Sequence, residues 1–130
     1  MTKQRTYGLP KQRRIKRQKI FEALVREGRS AFVYPFKAVY LPGELPEPVP
    51  WQVGFAVSKR RFRKAVHRNR IKRLMREAFR LNQHILEGIP PTAILLIYVS
   101  KEELAPAELM KNMKKLLEKI QKQLQNDGTT

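Results

Sequence analysis

The amino-acid sequence predicts an α+β fold of the αβββαβα type, in which a few helices pack on one small sheet. Two kinds of pattern predict it. Apolar residues recur at helical spacing in residues 18–27, in residues 65–82 and after Pro106. Short runs rich in aromatic and β-branched residues, which are typical of strands, lie between these helices. The resulting order is one helix, two or three strands, a helix, a strand and a final helix, which gives a layered single domain.

The first helix is predicted over residues 18–27 by an apolar stripe of Ile20, Phe21, Leu24 and Val25, with Gly28 as its stop. Extended structure follows in residues 31–41 and is interrupted at Pro35, with a clear strand over 36–41. A proline-rich loop then spans residues 42–50.

The next strand is predicted over residues 51–58, with two different faces. Trp51, Phe55 and two valines alternate with small side chains at Gly54, Ala56 and Ser58. The small side chains leave room for something to lie against that face of the sheet. Residues 93–99 form an unbroken apolar run, which predicts a strand buried on both faces. The final helix carries a long apolar stripe that indicates core packing: Leu109, Met110, Met113, Leu116, Leu117, Ile120 and Leu124.

The most unusual stretch is residues 59–80, which hold eleven Lys or Arg residues and one acid, Glu77. On a helix over residues 65–82, the predicted apolar face consists of Ile71, Leu74, Met75, Ala78 and Leu81. The opposite face consists of Asn69, Lys72, Arg73, Arg76 and Arg80, with Arg68 and Arg70 on the flanks. One side of the helix is therefore expected to anchor in the core while the other presents positive charge.

The charge of the chain points to a polyanion as partner. The net charge is +17, and all of the excess lies in residues 1–30 and 59–80, because residues 81–130 hold six basic and six acidic residues. An ordinary solvated helix mixes charges of both signs, and a membrane-surface helix carries a Trp- and Phe-rich apolar wedge. The basic helix fits neither class well, and nucleic acid is the simplest ligand.

The domain boundaries follow from the same patterns. Residues 1–17 are basic and polar and are predicted to be a flexible tail that orders on binding. Residues 18–125 form the domain, and residues 126–130 form a disordered C-terminal tail. The chain has no cysteine, no apolar run long enough for a membrane span and no visible signal peptide. These features predict a cytoplasmic protein with no membrane partner.

The residues of a self-sufficient nuclease are not apparent in the sequence. Metal-dependent phosphodiester hydrolysis usually needs clustered carboxylates, but the acids here are scattered along the chain. His67 and His84 lie about 25 Å apart on a helix with a rise of 1.5 Å per residue, too far to act on one phosphate. His67, inside the basic stretch, is a candidate RNA contact. We therefore predict a binding protein with no catalytic residue and no metal site of its own.

The basic stretch also resembles a known family. Residues 65–80 read AVHRNRIKRLMREAFR and follow a strand that ends Ala56-Val57-Ser58-Lys59. This string is similar to the RNR signature of the bacterial ribonuclease P protein subunit, and the resemblance covers roughly residues 9–122. It implies a ribosomal protein S5 domain 2-like fold with a left-handed β-α-β crossover. It also implies endonucleolytic removal of the 5′ leader from precursor tRNA, with the catalytic site in an RNA subunit.

The resemblance implies functional residues and partners at matching positions. The residues expected to bind the RNA subunit are Lys59, Arg60, Arg68, Asn69, Arg70, Lys72, Arg73 and Arg76. Phe21, Val25 and Tyr40 are expected to bind the precursor tRNA leader in a cleft, although Val25 stands where the family often has a second aromatic. No cofactor is expected on the protein alone, Mg²⁺ is expected to be held by the RNA subunit, and no obligate protein partner is expected.

Two features depart from the family pattern. The connection between Lys59 and Val66 is one residue longer and lacks a common glycine, so its path is expected to differ. The proline-rich 42–50 loop is peculiar to this branch. The alternatives to a ribonuclease P subunit are a structural RNA-binding protein of the ribosomal or assembly-factor type and a protein-only nuclease.

Overall fold

A computed structural model describes residues 11–43, 45–46 and 48–128 of the chain, with the backbone alone for residues 11 and 126–128. The predicted α+β class and element order are confirmed, with two short 3-10 turns at Lys11–Arg13 and Gln83–Leu86. None of the described helices is long and apolar enough to cross a membrane. The helices and strands are α1 (Gln18–Glu27), β1 (Arg29–Val33), β2 (Phe36–Pro42), β3 (Trp51–Val57), α2 (Ala65–Asn82), β4 (Thr92–Tyr98) and α3 (Pro106–Gly128).

The four strands form one mixed sheet in the order β1-β2-β4-β3. β2 pairs antiparallel with both β1 and β4, whereas β3 and β4 are parallel neighbours. Parallel neighbours need a crossover connection, and α2 provides it. The β-α-β unit expected through the basic helix is therefore present, while its left hand stays a prediction.

One face of the sheet is covered by α2 and α3, and this side holds the main core. Phe79 of α2 meets Trp51 and Phe55 of β3 edge-to-face, with ring centroids 5.0 and 5.9 Å apart. The predicted apolar stripe of α3 is confirmed, since every member is buried except the half-buried Met110. These contacts hold α2 rigidly against the sheet.

The buried face of α2 differs from the prediction at its C-terminal end. Ile71, Met75 and Ala78 are buried as expected, but Leu81 is 46% exposed. Phe79 and Asn82 are buried in its place. The face is rotated because Phe79 inserts between the two aromatic rings of β3, which buries more apolar area than Leu81 would.

The other face of the sheet is partly covered by α1. Leu24 is buried there with Ile15 and Ala93, and Phe21, Val39 and Leu95 pack beside them. A Cβ atom at Gly28 would overlap the Leu24 carbonyl oxygen and the Val39 side chain, so the chain leaves α1 where only glycine fits. This packing confirms that the small-residue face of β3 makes room for another element.

Both predicted tails differ from the structure where it describes them. Residues 11–15 lie along the outer edge of β3, where the Ile15 amide donates a 3.2 Å hydrogen bond to the Val53 carbonyl. This part of the predicted flexible tail is therefore ordered against the sheet, whose edge offers unpaired backbone groups. At the other end α3 continues to Gly128, three residues beyond the predicted end of the domain at residue 125. Residues 1–10 and 129–130 lie outside the described residues.

Candidate nucleic-acid interface

The outward side of α2 carries the predicted cluster of basic side chains. Asn69, Arg70 and Arg73 are exposed, and Lys72 and Arg76 are half-buried at the margins of the helix. The preceding loop adds exposed side chains at Lys59 and Arg60. We call this set the α2 basic face: Lys59, Arg60, Arg68, Asn69, Arg70, Lys72, Arg73 and Arg76. The structure thus brings together all eight residues that the resemblance assigns to RNA binding.

Few acids neutralise the α2 basic face. Arg70 forms a 3.1 Å ion pair with Glu103, and Arg80, just beyond the face, forms a 2.7 Å pair with Glu77. Both pairs are partly exposed, so they are worth little in free energy and are easily exchanged for another anion. Within the described ranges, Arg73 and Arg76 have no carboxylate at ion-pair distance.

Arg68 differs from its neighbours because its side chain turns toward the loop before α2. Its Nη1 atom donates 2.8 Å hydrogen bonds to the carbonyl oxygens of Phe62 and Arg63. Phe62 is buried in the main core beside the ring of Tyr98. Arg61 in turn donates to the Val99 carbonyl. The lengthened loop is therefore fixed to the domain at three points and has a defined path.

The N-terminus of α2 adds to the positive potential of this region. Lys64 occupies the N-cap position without a side-chain hydrogen bond, and the first turn contains no acid. The first backbone N–H groups of a helix have no partner within the helix and carry partial positive charge. The exposed Arg63 and Lys64 lie at the same end. Backbone dipole and side-chain charge therefore act in the same direction and favour an anion.

A second candidate surface lies where α1 crosses the sheet. Phe21 is half-buried, and its ring approaches Gly54 of β3. Val25, one helical turn further on, is 83% exposed. Ala56 and Ile97, adjacent in the sheet register, are half-buried on the same face. We call this surface the α1 groove, and it joins two of the three residues expected to contact the leader.

Tyr40, the third expected leader residue, does not line the α1 groove. It is 1% exposed, lies in the core beneath α3, and donates a hydrogen bond from its hydroxyl to Gln123. Burial raises its pKa, and the nearby charge of Arg29 lowers it by less. Neighbouring residues of a strand point to opposite faces, so Val39 and Leu41 are the β2 residues that pack on the α1 side of the sheet. The expected placement of Tyr40 on the α1 side of the sheet was therefore wrong.

The remaining candidates for chemistry are separated from one another. His67 is half-buried on the first turn of α2, and His84 is exposed beyond its end. In the part of the chain that the structure describes, no three His, Cys, Asp or Glu side chains lie close enough together to hold a metal ion.

Three structurally important residues were not identified from the sequence. Phe62 and Arg61 fix the loop before α2, and Arg13 lies over the ring of Trp51 with its Cζ 4.1 Å from the centroid. Phe62 is a single apolar residue among basic ones, and this pattern could have predicted that its side chain is buried. Nothing in the local pattern links Arg13 to Trp51.

Comparison with known proteins identifies the family. A family model described as Ribonuclease P matches residues 9–121, which is most of the chain. The chain belongs to the ribonuclease P protein family. The match begins before α1 and ends within α3, so it includes both the α2 basic face and the α1 groove.

Relatives in this family are similar over different shares of the chain. The ribonuclease P protein component of Porphyromonas gingivalis is 40% identical over 89 residues, which cover 68% of this chain and 65% of the relative. The match therefore spans just under two thirds of that relative. The ribonuclease P protein component of Nitrosomonas eutropha is 32% identical over 124 residues, which cover 95% of this chain and all of the relative.

Solved ribonuclease P protein structures share the fold. The RNase P protein from Staphylococcus aureus has a TM-score of 0.68 at 26% identity, covering 86% of this chain and 97% of that one. The RNase P protein from Thermotoga maritima has a TM-score of 0.69 at 22% identity and supports the fold alone.

Proposed function

We propose that this chain is the protein subunit of a ribonuclease P ribonucleoprotein, which removes the 5′ leader of precursor tRNA. The observation that carries the proposal is the α2 basic face. It consists of seven cationic side chains and Asn69, with few acidic partners, on and just before a helix whose other side is buried in the core. Such a surface suits the phosphates of a folded RNA.

In this proposal the α2 basic face binds the catalytic RNA subunit. Arginine presents a planar fork of donors that matches phosphate oxygens, so exposed Arg70 and Arg73 are suited to direct contacts. Arg68 contributes by holding the loop that displays Lys59 and Arg60. The free N–H groups at the start of α2 offer a further position for a phosphate.

The α1 groove binds the single-stranded leader in the same proposal. Phe21 offers an aromatic surface, and the exposed Val25 extends it with an apolar contact. Stacking of a base on an aromatic side chain tolerates many sequences, which suits a leader that varies among tRNAs. Phe21 packs with Val39 and Leu95 against the same small buried cluster, which holds its ring in position.

Catalysis belongs to the RNA subunit in this proposal. Mg²⁺ prefers phosphate oxygens and water as ligands, and the RNA subunit and substrate would supply them. The protein contributes electrostatically to the reaction. The RNA subunit and the precursor tRNA are both polyanions that repel each other, and a cationic domain between them lowers that repulsion. This contribution is greatest at low Mg²⁺, where fewer metal ions screen the phosphates.

The test is to add the purified protein to a bacterial catalytic P RNA and precursor tRNA at low Mg²⁺. The expected result is faster release of an intact 5′ leader. RNA binding without stimulation would instead favour a structural RNA-binding protein, and cleavage without the RNA subunit would favour a protein-only nuclease. A matched pair of variants sharpens the test: Arg73→Ala on α2 should weaken binding to the RNA subunit, whereas Lys114→Ala, exposed on α3, should not.

A further inference from the structure

The ordered N-terminal segment brings two arginines to the outer edge of the sheet. Arg14 forms an isolated parallel bridge with Val53 of β3. The side chain of Gln52 donates a 2.8 Å hydrogen bond to the Gln12 carbonyl, which fixes the segment two residues earlier. Arg13 and Arg14 are therefore held at the edge strand by hydrogen bonds of the residues on both sides of them, Gln12 and Ile15, beside the strand face that α2 covers.

An aromatic cluster connects this segment to α2. The Arg13 guanidinium lies over Trp51, Trp51 meets Phe79, Phe79 meets Phe55, and the Arg76 guanidinium lies 5.8 Å from the Phe55 centroid. A guanidinium stacked on a ring keeps its in-plane N–H donors available for an anion. The two arginines thus lie on the two aromatic residues of one strand, with Arg14 attached at the position between them.

The charges at this place repel one another and lack a described counter-charge. Burial lowers the pKa of Arg76, and the charge of Arg14 lowers it further. Burial also lowers the pKa of Arg13, whose Nη1 atom is buried without a hydrogen-bond partner. Glu77, on the same helix, is engaged by Arg80. Partly desolvated like charges are unfavourable, and an anion bound among them would relieve this cost.

We propose that Arg13, Arg14 and Arg76 form an RNA phosphate site at the outer edge of β3, which we call the edge site. It rests on the proposed function, and it extends the α2 basic face across the α2–β3 seam to the N-terminal segment. The ligand is a backbone phosphodiester. Arg13 and Arg76 are held on the aromatic cluster, and Arg14 supplies the exposed charge.

The experiment compares Arg14→Gln, Arg76→Gln and the double variant with Lys114→Gln, which removes one exposed charge from α3. Affinity for a bacterial catalytic P RNA is measured over a series of salt concentrations. The affinity of the assembled holoenzyme for precursor tRNA is measured in a second arm. Each edge-site change should weaken one of these affinities by about three- to tenfold. It should also lower the salt slope, the steepness with which the logarithm of the affinity falls as the logarithm of the salt concentration rises, by about 0.7–0.9, which is the contribution of one phosphate contact.

The double variant distinguishes one shared phosphate from two separate ones. If Arg14 and Arg76 bind the same phosphodiester, the double variant should lower the salt slope little more than either single change, because the phosphate is lost once. Lys114→Gln should leave both slopes at the wild-type value. Because Arg14 is exposed, Arg14→Gln carries the test even if Arg76→Gln fails to fold.

The two arms identify the source of the phosphate. A loss confined to P RNA binding assigns the edge site to the RNA subunit, and a loss confined to the second arm assigns it to the substrate. Wild-type affinity and slope for Arg14→Gln in both arms would overturn the edge site while leaving the proposed function intact. A wild-type protein that binds neither RNA would overturn the proposed function itself.

Discussion

Arg68 of α2 donates a 2.8 Å hydrogen bond to the carbonyl oxygen of Phe62, six residues earlier in the chain. The same nitrogen also reaches the Arg63 carbonyl. Arg68 is expected to bind RNA, but its side chain here holds the loop that precedes its own helix. Because this loop carries Lys59 and Arg60, the hydrogen bonds of Arg68 also position two other residues of the α2 basic face.

Replacement of Arg68 by lysine should therefore destabilise the folded protein, although the positive charge is kept. Lysine has no planar fork and is not expected to hold both carbonyls. We expect the free energy of unfolding in urea to fall by about 1.5 kcal/mol, the lower end for a charge-assisted hydrogen bond. P RNA affinity should fall with it. Arg73→Lys, at an exposed position, is the control and should leave stability unchanged. Equal stability of the two variants would contradict a positioning role for Arg68.

Phe21 and Tyr40 should behave differently in leader binding. Phe21→Ala removes the aromatic surface of the α1 groove, and we expect the preference of the holoenzyme for precursor over mature tRNA to fall about tenfold, equivalent to about 1.4 kcal/mol of base stacking. Tyr40→Phe removes a buried hydroxyl beneath α3 and should leave this preference unchanged. Binding of both tRNAs to the two variant holoenzymes checks the contrast. An effect of Tyr40→Phe as large as that of Phe21→Ala would argue against the α1 groove.

The rotated buried face of α2 predicts unequal costs for two substitutions. Phe79→Ala should lower the free energy of unfolding by about 3–5 kcal/mol, because it leaves a cavity beside Trp51 and Phe55. Leu81→Ala should change it by less than about 1 kcal/mol, since that side chain is nearly half exposed. Urea unfolding of both variants measures the difference. A larger loss for Leu81→Ala would mean that the sequence-based face was the correct one.

Titration of Tyr98 should make the free energy of unfolding vary with pH in the alkaline range. Burial raises its pKa above the usual value of 10, and its hydroxyl donates to the Glu102 carbonyl and accepts from the Leu104 amide. The pKa of Tyr98 is higher in the folded than in the unfolded protein. Its contribution to the free energy of unfolding is therefore complete below about pH 10 and declines as the pH rises through the folded pKa. Tyr98→Phe should be less stable than the wild type by about 1 kcal/mol at pH 8. The gap should narrow above pH 10 in urea unfolding at matched ionic strength. A gap that stays constant to pH 11 would contradict the raised pKa.

Much of the fold follows from short-range patterns in the sequence. The bounds of α1 and α2 follow from their apolar stripes, because a helix that packs on one side must repeat its apolar residues every three or four positions. The concentration of arginine on α2 likewise predicts its charged outer surface. These features depend on neighbours within one or two turns, and local periodicity contains them.

The structure alone decided which distant residues meet. Alternation in β2 separates Val39 from Tyr40, but it does not say which of the two faces α1, because that depends on which helix covers each side of the sheet. Arg13 and Arg76 are brought to the same aromatic cluster only when the N-terminal segment pairs with the edge of β3. The sequence thus determined the elements and their charge, whereas packing between elements determined the sites, since contacts across more than sixty residues have no signature in local periodicity.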